Sequence, residues 1–284
     1  RTAFGIAASM ASGVQRNFGT MPKPLHAGWA SRSALAAVRL AMAGYTAALD
    51  AMEAKAGFYA AYGTEDSAPD VTAEGLGNPW VMVDPGIALK KFACCYASHR
   101  AIDGILRLRA ELGFDAESIE RVTCRMPPGG RRALIYDQPQ TGLQAKFSLD
   151  YPLAAGVLDG RFRLWTFTDE AVNRPAIRAL YPKIEYIDDP RCVSEDPQYE
   201  TRSPGSRGFV EVEVRTKDGR SGQVRIDKPP GHPSRELTWD DCDAKFLDCA
   251  AQTKVPKANA QRALQLLKAL EVCADAGEVT RLLA

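Results

Sequence analysis

The stretch GFVEVEVRTKDGRSGQVRID, residues 208–227, carries the strongest fold signal in the sequence. Val210, Val212 and Val214 alternate with charged residues, which is the period-two pattern of a strand with one buried face. The pair Asp218-Gly219 then supplies the residue types that favour a tight turn between two antiparallel strands. The stretch therefore predicts a β-hairpin late in the chain.

The segments around this hairpin alternate between strand and helix patterns. SIERVTCRMPP, residues 118–128, alternates apolar and polar side chains and predicts a half-buried strand. Apolar spacing predicts helices over residues 99–112 and 145–158, and another after Thr168. From Thr238 the pattern is helical to the end of the sequence. We therefore expect a mixed α/β region followed by C-terminal helices.

The N-terminal part has a different character. Residues 1–62 are rich in alanine and predict helices, one from about residue 27 to 43 and a second beginning near Thr46. Residues 63–86 are rich in Gly, Pro and Asp, and predict a connection with one short strand and a domain boundary. The expected division is a helical domain over residues 1–85, an α/β domain over 86–232 and C-terminal helices over 233–284.

Composition limits the possible functions. The 284 residues are 45% hydrophobic and 25% charged with a net charge of +1, so bulk electrostatics favours neither nucleic acid nor an anionic membrane. No apolar run approaches the roughly 20 residues that a membrane-spanning helix needs. The seven cysteines contain no CxxC pair, which is typical of reduced thiols in a cytoplasm. Because the chain begins at Arg1 within a helical pattern, we expect it to be a piece of a longer protein.

No common cofactor or metal motif is present, so the sequence predicts neither a cofactor nor a metal. Three stretches carry unusually placed polar groups instead. They are GTMPKPLHAGWAS (19–31) with Lys23 and His26, LKKFACCYASHRAIDG (89–104) with Lys90, Lys91 and His99, and AKFSLDYPLAAGVLDG (145–160) with Lys146, Ser148, Asp150 and Tyr151. The ordinary alternative for each is a solvated lysine or a histidine that satisfies a local hydrogen bond.

Lys23 and His26 have a physical argument in their favour. A lysine near a helix N-terminus faces partial charge of its own sign, which is unfavourable unless an anion binds there. Free backbone N–H groups, an ammonium and an imidazole that converge on one place form a good carboxylate site. We therefore predict that this stretch holds an anion.

Taken in order, these three stretches and KPPGHPSRELTWDDCDAKFLDCA (228–250) resemble the MmgE/PrpD family over nearly the whole chain. The family includes 2-methylcitrate dehydratase, cis-aconitate decarboxylase and an iminodisuccinate epimerase. The resemblance implies an all-helical domain, partial here, with a smaller α/β lid inserted before C-terminal helices that return to the helical domain. It also implies a homodimer.

The resemblance implies roles for five residues. Lys23 and Lys90 would hold carboxylates, His26 is the neighbour of Lys23 in its motif, and His99 belongs to the lid motif. Tyr151 would project its hydroxyl from a helix start into the cleft. In addition, Cys95 stands where the similarity to decarboxylases leads us to expect a histidine, which favours the dehydratase or epimerase branches.

The expected activity is that of a metal-independent, cofactor-free lyase on a small di- or tricarboxylate, most like 2-methylcitrate dehydratase. Two alternatives stay open: epimerisation or cis-aconitate-type decarboxylation within the same family, and a non-catalytic remnant that only binds carboxylates. We expect a cytoplasmic homodimer without nucleic-acid or membrane partners. The chain alone is predicted to be inactive, because the resemblance places further site residues outside it.

Overall fold

The computed structural model describes residues 1–64, 74–193 and 206–284. The chain forms two compact units, Arg1–Ile87 and Ala88–Ala284. The helices and strands, in chain order, are α1 (Thr2–Ala8), α2 (Pro22–Met42), α3 (Phe58–Tyr62), α4 (His99–Leu112), β1 (Ile119–Met126), α5 (Gly142–Ala145), α6 (Asp150–Asp159), α7 (Asp169–Val172), α8 (Pro175–Arg178), β2 (Ile184–Asp188), β3 (Val210–Thr216), β4 (Ser221–Ile226), α9 (Trp239–Ala250), α10 (Lys257–Lys268) and α11 (Gly277–Leu282). Helices combined with a small mixed sheet confirm the predicted fold class.

The first unit is built around α2, which begins at Pro22 because proline is well suited to the first helical position. Only Ala37 is buried along this helix. The large apolar side chains of this helix lie at the surface of the unit, since Leu35 is 63% exposed and Met42 is 83% exposed. Most of the apolar surface of α2 is therefore uncovered within this unit.

The helix predicted to begin near Thr46 does not form, and this expectation was wrong. Residues 46–57 are coil and turns. The backbone instead folds back on itself at Gly57, where a Cβ atom would lie 2.6 Å from the carbonyl oxygen of Ala51. The Ala51 carbonyl accepts a hydrogen bond from Phe58 N–H. This carbonyl is therefore not used in the i to i+4 hydrogen bonds of a helix. The short strand predicted within residues 63–86 is absent from residues 74–86, and residues 65–73 lie outside the described part.

The second unit contains a four-stranded sheet with the order β2-β1-β3-β4. β1 runs parallel to β2 and antiparallel to β3, and β3 pairs with β4 in the predicted hairpin. Cys124 lies opposite Val212, and both are fully buried on the core face. The opposite face is charged, since Arg125 lies 3.4 Å from Glu211 and 3.0 Å from Glu213. The alternating pattern thus separates a core face from a charged face.

Helix α4 packs against both the sheet and α6, and two glycines make this close approach possible. A Cβ at Gly104 would lie 2.7 Å from Cγ2 of Val212 on β3. A Cβ at Gly156 of α6 would lie 2.4 Å from Cγ2 of Ile105. Both distances are shorter than a carbon–carbon contact. A residue without a Cβ atom is therefore required at each of these positions.

The C-terminal helices begin at Thr238 with a capping box. The Thr238 hydroxyl accepts a hydrogen bond from Asp241 N–H at 3.1 Å, and the Asp241 carboxylate accepts one from Thr238 N–H at 3.4 Å. α9 then joins the second unit, because Asp248 accepts a hydrogen bond from Leu164 N–H at 2.7 Å. The return of these helices to the helical domain stays a prediction, as does the exact domain division.

Candidate active site

Lys23 lies in the first turn of α2, within the first unit. Its side chain is half-buried, and its ammonium lies 5.7 Å from the centre of the Phe18 ring. No acidic residue occupies the first turn of this helix. The helix start thus combines a lysine with like-signed partial charge, which is the arrangement that favours a bound anion.

His26 lies one turn further along α2. It lines a cavity of about 290 Å³ together with Trp29, Ser12 and Ser33. Gly13 approaches the imidazole closely, since a Cβ there would lie 3.3 Å from Nδ1. Among the described residues that line this cavity, His26 is the one with a titratable side chain.

Lys90 opens the lid stretch in the second unit, and its side chain is exposed. Its backbone carbonyl accepts a hydrogen bond from the ammonium of Lys245 on α9. The side chain of Lys91, in contrast, has a carboxylate partner, because its ammonium forms an ion pair with Asp241 at 2.7 Å. Of the two neighbouring lysines, Lys90 therefore presents the side chain that is available to an anionic ligand.

His99 is the first residue of α4 and is fully buried. Burial, and then the positive charge of Lys90, lower the pKa of its imidazole to about 3. Backbone groups of Cys94 and Phe92 act towards a higher pKa, but neither ring nitrogen has a contact of hydrogen-bond geometry within the described residues. His99 is therefore a neutral imidazole at neutral pH.

The two adjacent cysteines of the lid stretch have different surroundings. Cys94 is buried, its sulfur lies 3.3 Å from the Ser98 hydroxyl, and burial raises the pKa of its thiol to about 12. Cys95 is partly exposed, and its N–H donates to the carbonyl of Lys146 at 2.8 Å. Cys94 therefore stays a protonated thiol, whereas Cys95 is the more accessible of the pair.

The structure corrects the expected orientation of Tyr151. This residue lies in the first turn of α6, but its side chain is fully buried in the core of the second unit. Its hydroxyl donates to the backbone carbonyl of Thr166, and its ring packs edge-on against Phe167. A bulky ring gains more from burial than from exposure at this helix start, so the hydroxyl does not project into a cleft within this unit.

Asp150 was named in the same stretch, and its surroundings are unusual for a carboxyl group. It is partly buried at the start of α6, and burial raises its pKa to about 6, with Arg131 acting in the opposite direction. Ser148 is fully buried, and its hydroxyl accepts a hydrogen bond from Tyr151 N–H at 3.2 Å. Ser148 thus supports the helix start.

Lys245 is the residue near this site that sequence reasoning did not assign. It lies 155 positions from Lys90, and only the fold brings the two together. In the sequence, Lys245 is marked only by the Lys-Phe pair at residues 245–246, which belongs to the tail motif of the family resemblance.

Lys23 and His26 lie in the first unit, whereas Lys90, His99 and Tyr151 lie in the second.

Two features are absent from the described ranges. Among residues 1–64, 74–193 and 206–284, no three His, Cys, Asp or Glu side chains group in a way that could hold a metal ion. Over the same residues, no helix combines the length and the apolar character that crossing a bilayer requires.

Comparisons with known proteins agree on one family. The model of the MmgE/PrpD N-terminal domain matches residues 1–69, and the model of the C-terminal domain matches residues 92–271. Cis-aconitate decarboxylase of Mus musculus is 28% identical over 292 residues, which cover 100% of this chain and 56% of the relative. The Homo sapiens protein of the same name is 27% identical, over 100% of this chain and 57% of its own length.

A more distant relative is the cis-aconitate decarboxylase of Aspergillus terreus (strain NIH 2624 / FGSC A1156). It is 24% identical over 81% of this chain and 48% of its own length. The chain thus spans about half the length of the curated relatives it matches.

Proposed function

Because this chain belongs to the MmgE/PrpD family, whose two domain models match residues 1–69 and 92–271, we propose that it is a lyase for a small di- or tricarboxylate. Decarboxylation of cis-aconitate or a close analogue is the reaction with most support. It is supported by relatives of that activity that align with the whole chain. The sequence motifs favour 2-methylcitrate dehydration over this reaction, whereas the similarity to cis-aconitate decarboxylases favours the reverse order.

The chemistry of this reaction needs cations next to carboxylates. Loss of CO2 from an unsaturated tricarboxylate leaves negative charge on carbon, and that charge spreads towards a neighbouring carboxylate. Positively charged groups held in place before the reaction stabilise this charge as it develops. Lys23, in a helix start without acidic residues, and Lys90, with its exposed side chain, are the proposed cations.

A proton must then be delivered to carbon. His26 is the proposed donor, because imidazole exchanges protons near neutral pH and His26 lines a cavity of about 290 Å³. His99 is proposed in a different role, as a neutral hydrogen-bonding group, since its imidazole is buried and its pKa is lowered to about 3. For Tyr151, the hydrogen bond to Thr166 supports a structural role.

One observation favours a second reaction. Cys95 is partly exposed in the same lid stretch as Lys90, at the position where the resemblance to decarboxylases leads us to expect a histidine. A thiol is a poorer match than imidazole for proton transfer at neutral pH. Dehydration of 2-methylcitrate, or epimerisation, is therefore the second candidate. For both candidate reactions, we propose a metal-independent mechanism and a cytoplasmic homodimer. The odd number of cysteines supports the cytoplasmic location.

The test is a turnover measurement by NMR with cis-aconitate, 2-methylcitrate, citrate and iminodisuccinate. The full product of the gene and residues 1–284 alone are assayed side by side, each with and without EDTA. We expect the full product to release CO2 from cis-aconitate, with the same rate after chelation, and residues 1–284 alone to be inactive.

Each other outcome has a definite meaning. Water loss from 2-methylcitrate without CO2 release would replace the first candidate by the second. No turnover of any of the four acids by a folded full product would contradict the proposed lyase. Activity that disappears with EDTA and returns with iron would contradict the metal-independent mechanism.

A further inference from the structure

A second cavity, of about 300 Å³, lies within the second unit. It is half-open to solvent and is lined by the segment before α4, by Leu106 of α4, by the loop after α6 and by helix α9. It holds neither Lys23 nor His26, and its wall includes Lys91 rather than Lys90. The proposed reaction therefore makes no use of it.

One part of the cavity wall is apolar. The rings of Phe92 and Phe162 line it and contact each other, with centroids 5.4 Å apart in an edge-on arrangement. Leu106 and Leu164 extend this surface. A wall of this kind gains from covering the apolar body of a ligand.

The charged part of the wall has an excess of positive groups. Four cationic side chains and two carboxylates line the cavity. Asp241 is paired with Lys91 at 2.7 Å, and Asp248 accepts a hydrogen bond from the Leu164 N–H at 2.7 Å, so the wall keeps a net positive charge. The remaining cations on the wall are Arg161, Arg163 and Lys245.

None of these three side chains forms an ion pair with another described residue. Among the described residues, the hydrogen-bond acceptor of the Lys245 ammonium is the neutral carbonyl of Lys90. Three cations without carboxylate partners, around a partly apolar cavity, repel each other and would be stabilised by an anion.

We infer that this cavity binds a small organic anion with one acidic group and an apolar body, such as an arylalkyl carboxylate. The acidic group would lie on Arg161, Arg163 and Lys245, and the body would lie against Phe92 and Phe162. Because Lys245 also holds the backbone of Lys90, such a ligand would act next to a proposed active-site lysine. The binding itself does not depend on the proposed function.

The experiment is a titration of the whole 284-residue chain with 3-phenylpropionate, followed by NMR and calorimetry. The neutral 3-phenylpropanamide tests the need for charge, and propionate tests the need for the ring. We expect a Kd of about 1 mM for a ligand of this size. The shifted amide signals should be those of residues 160–164 and of α9.

The variants separate this site from general charge effects. Replacing Arg161 and Arg163 by glutamine should weaken binding about tenfold, the loss expected for charge-assisted hydrogen bonds. Both side chains are exposed, so the variant should fold, and circular dichroism checks this. Arg132→Gln is the matched control, because Arg132 is exposed and lies outside the cavity lining, and it should leave Kd unchanged.

Three results would overturn the inference. The first is no saturable binding of 3-phenylpropionate up to about tenfold above the expected Kd. The second is equal binding of the amide, or equal loss in the Arg132→Gln control. The third is tighter binding of the tricarboxylate tricarballylate at the same residues, which would make the cavity a polycarboxylate site instead.

Discussion

The imidazole of His99 packs edge-on against the ring of Phe92, with the two centroids 5.1 Å apart. Tyr96 lies on another side of it at 5.2 Å. The histidine is therefore enclosed by aromatic carbon rather than by carboxylates, which explains why the pKa of this buried imidazole is lowered to about 3.

The first prediction concerns this protonation state. His99 should remain neutral from pH 8 down to pH 4.5, and its ring ¹⁵N shifts should not change over that range. An imidazolium signal from His99 at pH 6 would contradict this. Because the pKa in the folded state lies below the unfolded value of 6.5, the unfolded chain binds the proton more readily. The contribution of His99 to stability is therefore complete above pH 6.5 and falls as the pH drops towards 3.

The second prediction concerns Asp150, whose pKa is raised to about 6 by burial. In this case the folded chain binds the proton more readily between pH 4 and 6, so stability falls as the pH rises through that window. Asp150→Asn should remove this loss. The variant should gain about 2–3 kcal/mol relative to wild type between pH 4 and pH 7, measured by urea unfolding.

A matched control for Asp150 is Asp240→Asn, which changes an exposed acidic residue in the first turn of α9. It shows how much of the effect comes from removing an exposed carboxylate. Equal effects of the two substitutions at every pH would show that burial does not control the Asp150 carboxyl group.

The third prediction tests the corrected position of Tyr151. Tyr151→Phe leaves the buried carbonyl of Thr166 without its donor, so the free energy of unfolding should fall by about 1–2 kcal/mol. Tyr45→Phe, at a residue 63% exposed, should change stability by less than about 0.5 kcal/mol. In the proposed turnover assay with cis-aconitate, kcat per folded molecule should be unchanged by Tyr151→Phe. A tenfold loss of kcat at unchanged stability would restore the catalytic role.

The fourth prediction concerns the close contact between α4 and α6. Gly156→Ala places a Cβ 2.4 Å from Cγ2 of Ile105, and should lower the free energy of unfolding by about 1–3 kcal/mol. Gly28 of α2 is the control, because a Cβ there would meet nothing closer than 3.9 Å. Gly28→Ala should be neutral or should stabilise by up to about 1 kcal/mol. Equal effects of the two substitutions would contradict the packing argument.

The fifth prediction concerns the two proposed carboxylate-binding lysines. In the proposed turnover assay with cis-aconitate, Lys23→Ala and Lys90→Ala should each lower kcat/KM by roughly 10²-fold, the usual effect of losing a charge-stabilising group. Lys254→Ala changes an exposed lysine in a loop and should leave kcat/KM unchanged. Wild-type kinetics for Lys23→Ala or Lys90→Ala would remove that residue from the site.

The segments predicted well are those whose local pattern agrees with their final surroundings. Helix α4 begins and ends at His99 and Leu112 as its apolar spacing predicted, since Ile102 and Ile105 face the core. The hairpin β3–β4 follows from its alternation and from Gly219, which has a φ of +87° at the turn. Here the local and tertiary preferences agree.

The failures arise where distant contacts decide. Helix propensity near Thr46 favours a helix, but the fold-back at Gly57 uses the backbone groups that a helix needs. The orientation of Tyr151 depends on Thr166 and Phe167, which no local pattern connects to it. The bond between Lys245 and Lys90 joins residues 155 positions apart, and sequence spacing carries no signal of it.

The strand order β2-β1-β3-β4 has a consequence for the time course of synthesis. β1 ends at Met126, but its antiparallel partner β3 begins only at Val210. At the usual 5–20 residues per second, a ribosome needs roughly 4–17 s to reach that partner, and β3 must also leave the exit tunnel. During that interval the apolar side of β1, including Val122, lacks its antiparallel neighbour. The hairpin β3–β4 closes locally, and it completes the sheet only after β3 and β4 have been synthesised. Until then the apolar side of β1 stays exposed in the nascent chain, and such exposed strands are prone to aggregation.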